Sequence, residues 1–429
     1  MSPAPPDRPR SAAGLSLAIV TDAIHPYHRG GKESRYAELL PRIAASAKVT
    51  VYTMHWWPER SHTRTEGGVE YRAICPLFPL YNDVRRSILE AVVFALACVR
   101  LITQHFDVIE ADHMPYLHLF TLRAIALIKR RPLVVTWNEV WGPDYWREYL
   151  GPRAGRVAWW IERAAMELPD TILAVSTTTA DRLRAYLGER AKIAVVENGL
   201  NLELIKGTVR AETDPGPDLL YVGRLLQHKG VDLLLHAMTI LRRDHSLDLI
   251  VVGNGPALGE LQQQVEDAGL SDRVRFRTDV ADQSEVFRLM KSARIFVFPS
   301  LREGFGIAPL EALACGARVI TTNHPDNHAR HLVGRSSRGI LCEPSPEGVA
   351  AAIEKALLDD AKSDPLGLEE WIEQFDWAAI SEQYLAMVGA ARQGARSTRP
   401  VARRTPTWGG VTTGQATDWT SEPAPGASH

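Results

Sequence analysis

Cysteine is scarce in this chain: Cys75, Cys98, Cys315 and Cys342 are the four in 429 residues, and no two stand in C-x-x-C spacing. That leaves no pattern for a thiolate metal site or a disulfide framework, and reduced, buried thiols in a cytosolic protein are expected. An excess of one charge is also missing. Lys and Arg together number 49 and Asp and Glu 51, a formal net charge of −2, so no whole-chain field favours nucleic acid as a partner. Long apolar runs are absent too. The most apolar stretch, Ile88 to Ile102, is shorter than the ~20 residues that span a bilayer. Glu90 and Arg100 interrupt it, and a buried helix is expected there. Residues 1–13 are rich in Pro, Arg and Ser with no apolar centre, which is not the pattern of a secretory leader.

What is present is a globular chain too long for one ordinary core, so two domains of roughly 150–200 residues are expected. Short apolar runs alternate with helical patterns from Leu15 onward. In the first half they include Leu15–Val20, Val49–Thr53, Val108–Ala111, Leu133–Thr136 and Ile193–Val196. In the second they include Asp218–Gly223, Leu249–Gly253, Ile295–Phe298, Arg318–Thr321 and Gly339–Cys342. Strands alternating with helices predict α/β domains with parallel, doubly wound sheets, whose ligands bind beyond the carboxyl ends of the strands. The expected division is 1–13 disordered, 14–205 first domain, 206–217 linker, 218–370 second domain, 371–392 helical region and 393–429 disordered tail.

The stretch that organises the chain is Pro299 to Gly316, P-S-L-R-E-G-F-G-I-A-P-L-E-A-L-A-C-G. It reads as a strand end, a glycine-bearing turn and a helix start. The first turn of a helix presents free N–H groups and the positive end of its dipole, which favours an anion. Gly304 and Gly306 allow close backbone approach, and Glu303 and Glu311 frame the spot with acceptors for hydroxyl donors. A phosphate flanked by two hydroxyl-rich rings, as in a nucleotide sugar, fits that arrangement. Earlier, Gly223-Arg224-Leu225 and Lys229-Gly230 put two cations on a loop at a strand end, a fork and a point charge suited to a diphosphate. Gly30-Gly31, between the first strand and an amphipathic helix, repeats the strand–glycine–helix geometry. Glu197-Asn198-Gly199 reads as a turn at the end of the first half.

E-G-F-G-I-A-P-L-E resembles the E-x7-E signature of retaining glycosyltransferases with the GT-B fold, most closely the large glycosyltransferase family 4. G-R-L-x-x-x-K-G, G-N-G-P and the glycine pair add to the resemblance, which covers residues 15–390. It implies two Rossmann-like domains facing a cleft, with the last helix crossing back onto the first domain. The implied reaction moves a sugar from a nucleotide diphosphate sugar, UDP- or GDP-linked, to an acceptor hydroxyl on a glycan, lipid or small molecule, with retained configuration. Arg224 and Lys229 would hold the diphosphate, with the amides of Ile307, Ala308 and Leu310 after Gly306 capping it. Glu311 would take the ribose hydroxyls, and Glu303 the hydroxyls of the donor sugar. Gly30, Gly31 and Asn198 complete the donor-binding set. The family's mechanism needs no metal and no further cofactor. Asn138 stands where the family usually has histidine, whose backbone carbonyl lies near the reacting carbon, so a different donor sugar is one expectation. A cytosolic protein, open to peripheral contact with the inner membrane face, is implied. A GT-B epimerase or phosphorylase and a non-catalytic GT-B scaffold are the other readings.

Overall fold

The computed structural model describes residues 14–28, 30–82, 85–210, 216–280, 282–359 and 368–397. The expected disorder of 1–13, the core of the linker and most of the tail lie outside them. Among the described residues sixteen strands form: β1 Ser16–Val20, β2 Lys48–Met54, β3 Thr63–Glu66, β4 Val69–Cys75, β5 Tyr81–Asn82, β6 Arg85–Arg86, β7 Val108–Asp112, β8 Leu133–Trp137, β9 Thr171–Ala174 and β10 Ile193–Val195 in the first half, then β11 Leu219–Val222, β12 Leu249–Val252, β13 Val274–Arg277, β14 Ile295–Phe298, β15 Arg318–Thr322 and β16 Gly339–Cys342. The first sheet runs β10-β9-β8-β7-β1-β2-β4-β3 and the second β13-β12-β11-β14-β15-β16. Within these two sheets every neighbouring pair is parallel except β3 against β4, and β5 and β6 pair antiparallel with each other. β7, β8 and β14 are buried at every position, because helices cover both faces of a parallel sheet.

The strand orders locate two crevices. In the first sheet β1 sends the chain one way to β2, and β7 lies on its other side. In the second, β11 is flanked by β12 and β14. Ligand crevices in open α/β sheets lie where the order reverses, outside the carboxyl ends of those strands. The loops after β1, β7, β11 and β14 carry Gly30-Gly31, His113, Arg224–Lys229 and Glu303–Gly306.

The C-terminal helix, Trp377–Ser397, returns to the first domain. Trp377, Ile380, Tyr384 and Val388 are buried in one core with Tyr36, Leu39 and Leu40 of the Gly31–Ala44 helix. Each such side chain contributes about 2 kcal/mol on burial, which anchors the helix firmly. It ends five residues beyond the expected 392.

The expected buried helix is a departure. Residues Ile88–Ala97, continued by a 3-10 turn at Cys98–Thr103, do bury Phe94, Cys98 and Leu101. The opposite face is apolar and open to solvent: Ile88 is 75% exposed, Leu89 62%, Leu96 67% and Val99 51%. A helix apolar all round is ordinarily enclosed; this one lies on the surface. On neighbouring helices Leu127, Ile128, Val157 and Trp160 are also exposed.

Candidate functional site

The second-domain side is built from two loops packed together. A Cβ on Gly230, at φ +69°, would lie 2.1 Å from the Pro299 carbonyl, so only glycine lets the loop after β11 press on the loop after β14. That contact delivers Lys229, whose Nζ lies 2.6 Å from Glu303 Oε2 and 3.4 Å from the Arg302 carbonyl. Arg224 reaches across to the first domain, donating to the Tyr81 hydroxyl at 3.3 Å with its guanidinium 5.4 Å from the ring centroid.

Gly306, at φ +101°, is the N-cap of the helix Ile307–Ala314. Leu310 N donates to the Gly306 carbonyl at 3.2 Å, the first bond of the helix. Its amide is therefore engaged, and Pro309 has none. Of the three amides expected to cap an anion, that of Leu310 is taken up by the helix itself. Glu311 accepts from Gln283 Nε2 at 3.1 Å. Burial pushes its carboxyl up to about 7, with Glu38 of the first domain adding to the rise.

On the first-domain side Gly30 and Gly31 open the helix Gly31–Ala44. A Cβ built on Gly31 would lie 4.0 Å from Ile307 Cδ1, so the glycine pair faces the donor-side helix start. Beneath it lies a cluster that motif reading missed. Lys32 Nζ contacts Asp22 Oδ1 at 2.5 Å and Asp112 Oδ1 at 3.0 Å. Arg86 pairs with the other oxygen of Asp22 and lies 3.8 Å from Glu90. Asp22, Glu90 and Asp112 are fully buried. Burial opposes ionisation of Asp22, but Lys32 and Arg86 outweigh it and hold the carboxyl below its ordinary range. For Glu90, burial and the charge of Asp22 prevail and raise it to about 8. Asp22 stands two residues beyond β1 and Asp112 ends β7, so these ion pairs form the floor of the first crevice.

Asn138, just after β8, is set by its backbone. Its N–H donates to His113 Nδ1 at 3.4 Å, and its carbonyl accepts from Thr179 Oγ1 at 3.4 Å. That carbonyl also faces the other domain: a Cβ on Gly304 would lie 2.2 Å from it. Gly304 therefore permits direct contact between the loop bearing Glu303 and the loop bearing Asn138. His113 is buried and its pKa is lowered to about 3 by burial and by Lys32, so it is neutral near pH 7 and serves as an acceptor for the Asn138 amide.

Asn198 lies elsewhere. It is 5% exposed, and its Oδ1 accepts from Arg35 at 2.8 Å while Arg35 also holds the carbonyls of Glu197 and Val196. Gly199 packs against the Trp377 ring, and Leu200 N donates to the Phe375 carbonyl at 2.6 Å. The Glu197–Gly199 turn is thus the seam for the returning C-terminal helix, with Asn198 Oδ1 engaged by Arg35. Of the aromatic run, Trp137 and Trp146 are buried packing residues. Glu162 fixes the segment by accepting from Trp146 Nε1 at 2.7 Å, Trp141 N at 2.9 Å and Gly142 N at 3.1 Å.

Comparison with known proteins agrees with this two-crevice arrangement. The family model described as Glycosyltransferase Family 4 matches residues 29–204, and that described as Glycosyl transferases group 1 matches 208–369, so the two spans take in nearly all of both sheets. A glycogen synthase of Mycobacterium tuberculosis is 29% identical over 54% of this chain, and the match spans 56% of that relative's length. A GDP-mannose-dependent alpha-(1-6)-phosphatidylinositol monomannoside mannosyltransferase of the same species is 24% identical over 86% of this chain and 96% of its own. The fold is shared with sucrose-phosphate synthase from Thermosynechococcus elongatus, at TM-score 0.73 and 18% identity over 90% of this chain and 100% of that one. The chain belongs to glycosyltransferase family 4 and has the GT-B architecture of two Rossmann-like domains.

Proposed function

We propose that the protein transfers a sugar from a UDP- or GDP-linked donor to an acceptor hydroxyl, with retention of anomeric configuration. The observation that carries this reading is the meeting of both crevices at one point. Glu303 and Lys229 lie on one side, Gly31 faces Ile307, and the Asn138 carbonyl rests against Gly304. Arg224, Lys229 and the amides of Ile307 and Ala308 stabilise the diphosphate as charge builds on it in the transition state. Glu303 accepts hydroxyls of the donor sugar, and Glu311 those of the ribose. These groups do the work of a divalent ion on the leaving group, so turnover is expected to withstand EDTA. Binding of nucleoside diphosphates to the protein and to Lys229→Ala, with the anomeric configuration of the product read by NMR, tests the reading. An inverted product would refute retention.

A lipid acceptor at a membrane surface is the form of acceptor that the structure favours. The exposed stripe of Ile88, Leu89, Leu96 and Val99 is flanked in the chain by exposed Arg85 and Arg100, and the neighbouring helices end or begin with exposed Arg130, Arg153 and Arg156, while the acids of these helices, Glu90 and Glu162, are buried. That is the pattern of a surface seated on anionic lipid. The stripe begins two residues after Arg86, which is bound to Asp22 on the crevice floor, so a headgroup at the bilayer would lie beside the site. Among the described residues no helix is long and apolar enough to cross a membrane. Relatives named for a cellobiosyl-diphosphopolyprenol and for a phosphatidylinositol monomannoside acceptor support the same reading.

A further inference from the structure

Arg302 is 7% exposed, and among the described residues its side-chain hydrogen bonds and its ring contact all go to the first domain. Its Nε pairs with the Glu139 carboxylate, its Nη2 donates to the Val140 carbonyl at 2.6 Å, and its guanidinium lies 4.1 Å from the centroid of the Tyr145 ring. All three partners belong to the first-domain segment that follows β8. Both ends of the pair stand next to a residue of the reacting centre: Arg302 precedes Glu303, and Glu139 follows Asn138. A guanidinium that donates through two of its nitrogens to separate acceptors fixes geometry as well as charge. Burial alone would raise the Glu139 carboxyl, but the charge of Arg302 holds it below its usual range, so the pair is ionised near pH 7.

Two further contacts show that this grip extends to the Glu303 loop. Glu303 N donates to the Asp326 carbonyl and His328 N to the Glu303 carbonyl, each at 3.0 Å. Asp326 and His328 are themselves held from the first domain, by Arg182 and by Thr178 Oγ1 at 2.8 Å. The backbone of Glu303 is therefore flanked by first-domain anchors on both sides.

We propose that Arg302 and Glu139 form a positioning pair that sets the Glu303 loop against the Asn138 carbonyl, acting on turnover without touching the donor. The proposal rests on the transferase reading for its kinetic consequence, but the link between the loops is physical and can be read without activity. Glu139→Gln and Arg302→Gln each remove one charge, Arg302→Lys keeps the charge without the fork, and the double variant removes both. Hydrogen exchange monitored in peptides covering 137–142 and 300–308 gives the first readout. Either Gln variant is expected to speed exchange in both peptides together, and Arg302→Lys to do so partially. The second readout is release of nucleoside diphosphate from UDP-glucose and GDP-mannose, as probe donors, beside the affinity for UDP and GDP. With the productive donor kcat is expected to fall ~10–100-fold in each Gln variant, with diphosphate affinity within about twofold of the parent and the double variant no worse than the singles. Exchange confined to the mutated loop, or kcat unchanged in both singles, would overturn the proposal. So would a matched loss of diphosphate affinity, which would make Arg302 a donor ligand. A parent protein that binds and cleaves neither donor would count against the transferase reading, and the exchange measurement would still decide the pair.

Discussion

Lys229 and Glu303, from the two loops that meet under the second-domain crevice, form an ion pair at 2.6 Å with side chains only 14% and 19% exposed. In the proposed function a nucleotide sugar would bring its own anion for Lys229 and its own hydroxyls for Glu303, so donor binding would exchange one set of partners for another. The two residues should then separate by readout. Lys229→Ala is expected to weaken UDP or GDP binding ~10–100-fold, the range for a charge-assisted contact. Glu303→Gln is expected to leave diphosphate affinity equal or higher, because Lys229 loses a competing partner, while turnover collapses. Calorimetric titration of both variants checks this.

Glu311 predicts a pH dependence. Its carboxyl is raised to about 7 in the protein, so the neutral form gains as pH falls below that value. Ionised carboxylate is the better acceptor for ribose hydroxyls. Affinity for the nucleoside diphosphate should therefore weaken as pH drops through about 7, and Glu311→Gln should flatten that part of the profile.

Gly304→Ala tests the contact between domains. The added Cβ would fall 2.2 Å from the Asn138 carbonyl, far inside van der Waals distance, so the loops must move apart. A loss of turnover of more than ~10-fold is expected, since small misplacements of reacting groups cost that much or more. The melting midpoint should change little, because the clash is relieved by parting the loops.

The apolar stripe predicts association with vesicles. Replacing Leu89 and Leu96, 62% and 67% exposed, with Ser should abolish co-sedimentation with vesicles rich in anionic lipid and leave nucleotide binding intact. Vesicle binding unchanged in that variant would refute the surface, and a dimer that dissociates on the substitution would reassign it to a second copy of the chain.

Much of the donor side was legible because its signals are contiguous. A strand, a glycine turn and a helix start lie within Ile295–Ala314, and glycine at 230, 304 and 306 marks close approaches that no other residue allows. The pairings between residues distant in sequence were not legible. Arg302 and Glu139 stand 163 residues apart, and Arg86 and Asp22 are 64 apart, with no local pattern joining either pair. Asn198-Gly199 illustrates the opposite hazard. An Asn-Gly turn reads the same whether it faces a ligand or, as here, Arg35 and Trp377. The surface stripe was misread for a related reason: a helix apolar on both faces carries no hint of which face the fold leaves open. β3, the polar strand Thr63–Glu66, has no apolar alternation and pairs only at the sheet edge, so periodicity could not reveal it.

The most direct test of the whole account is a thermal-shift titration of the parent protein and Lys229→Ala with UDP, GDP, ADP and TDP. The account predicts a rise in melting midpoint with UDP or GDP, equivalent to ~2.7 kcal/mol at a hundredfold excess over the dissociation constant, and its loss in Lys229→Ala. No shift with any of the four, or a shift that survives in the variant, would contradict the donor site at Arg224, Lys229 and the Ile307 helix.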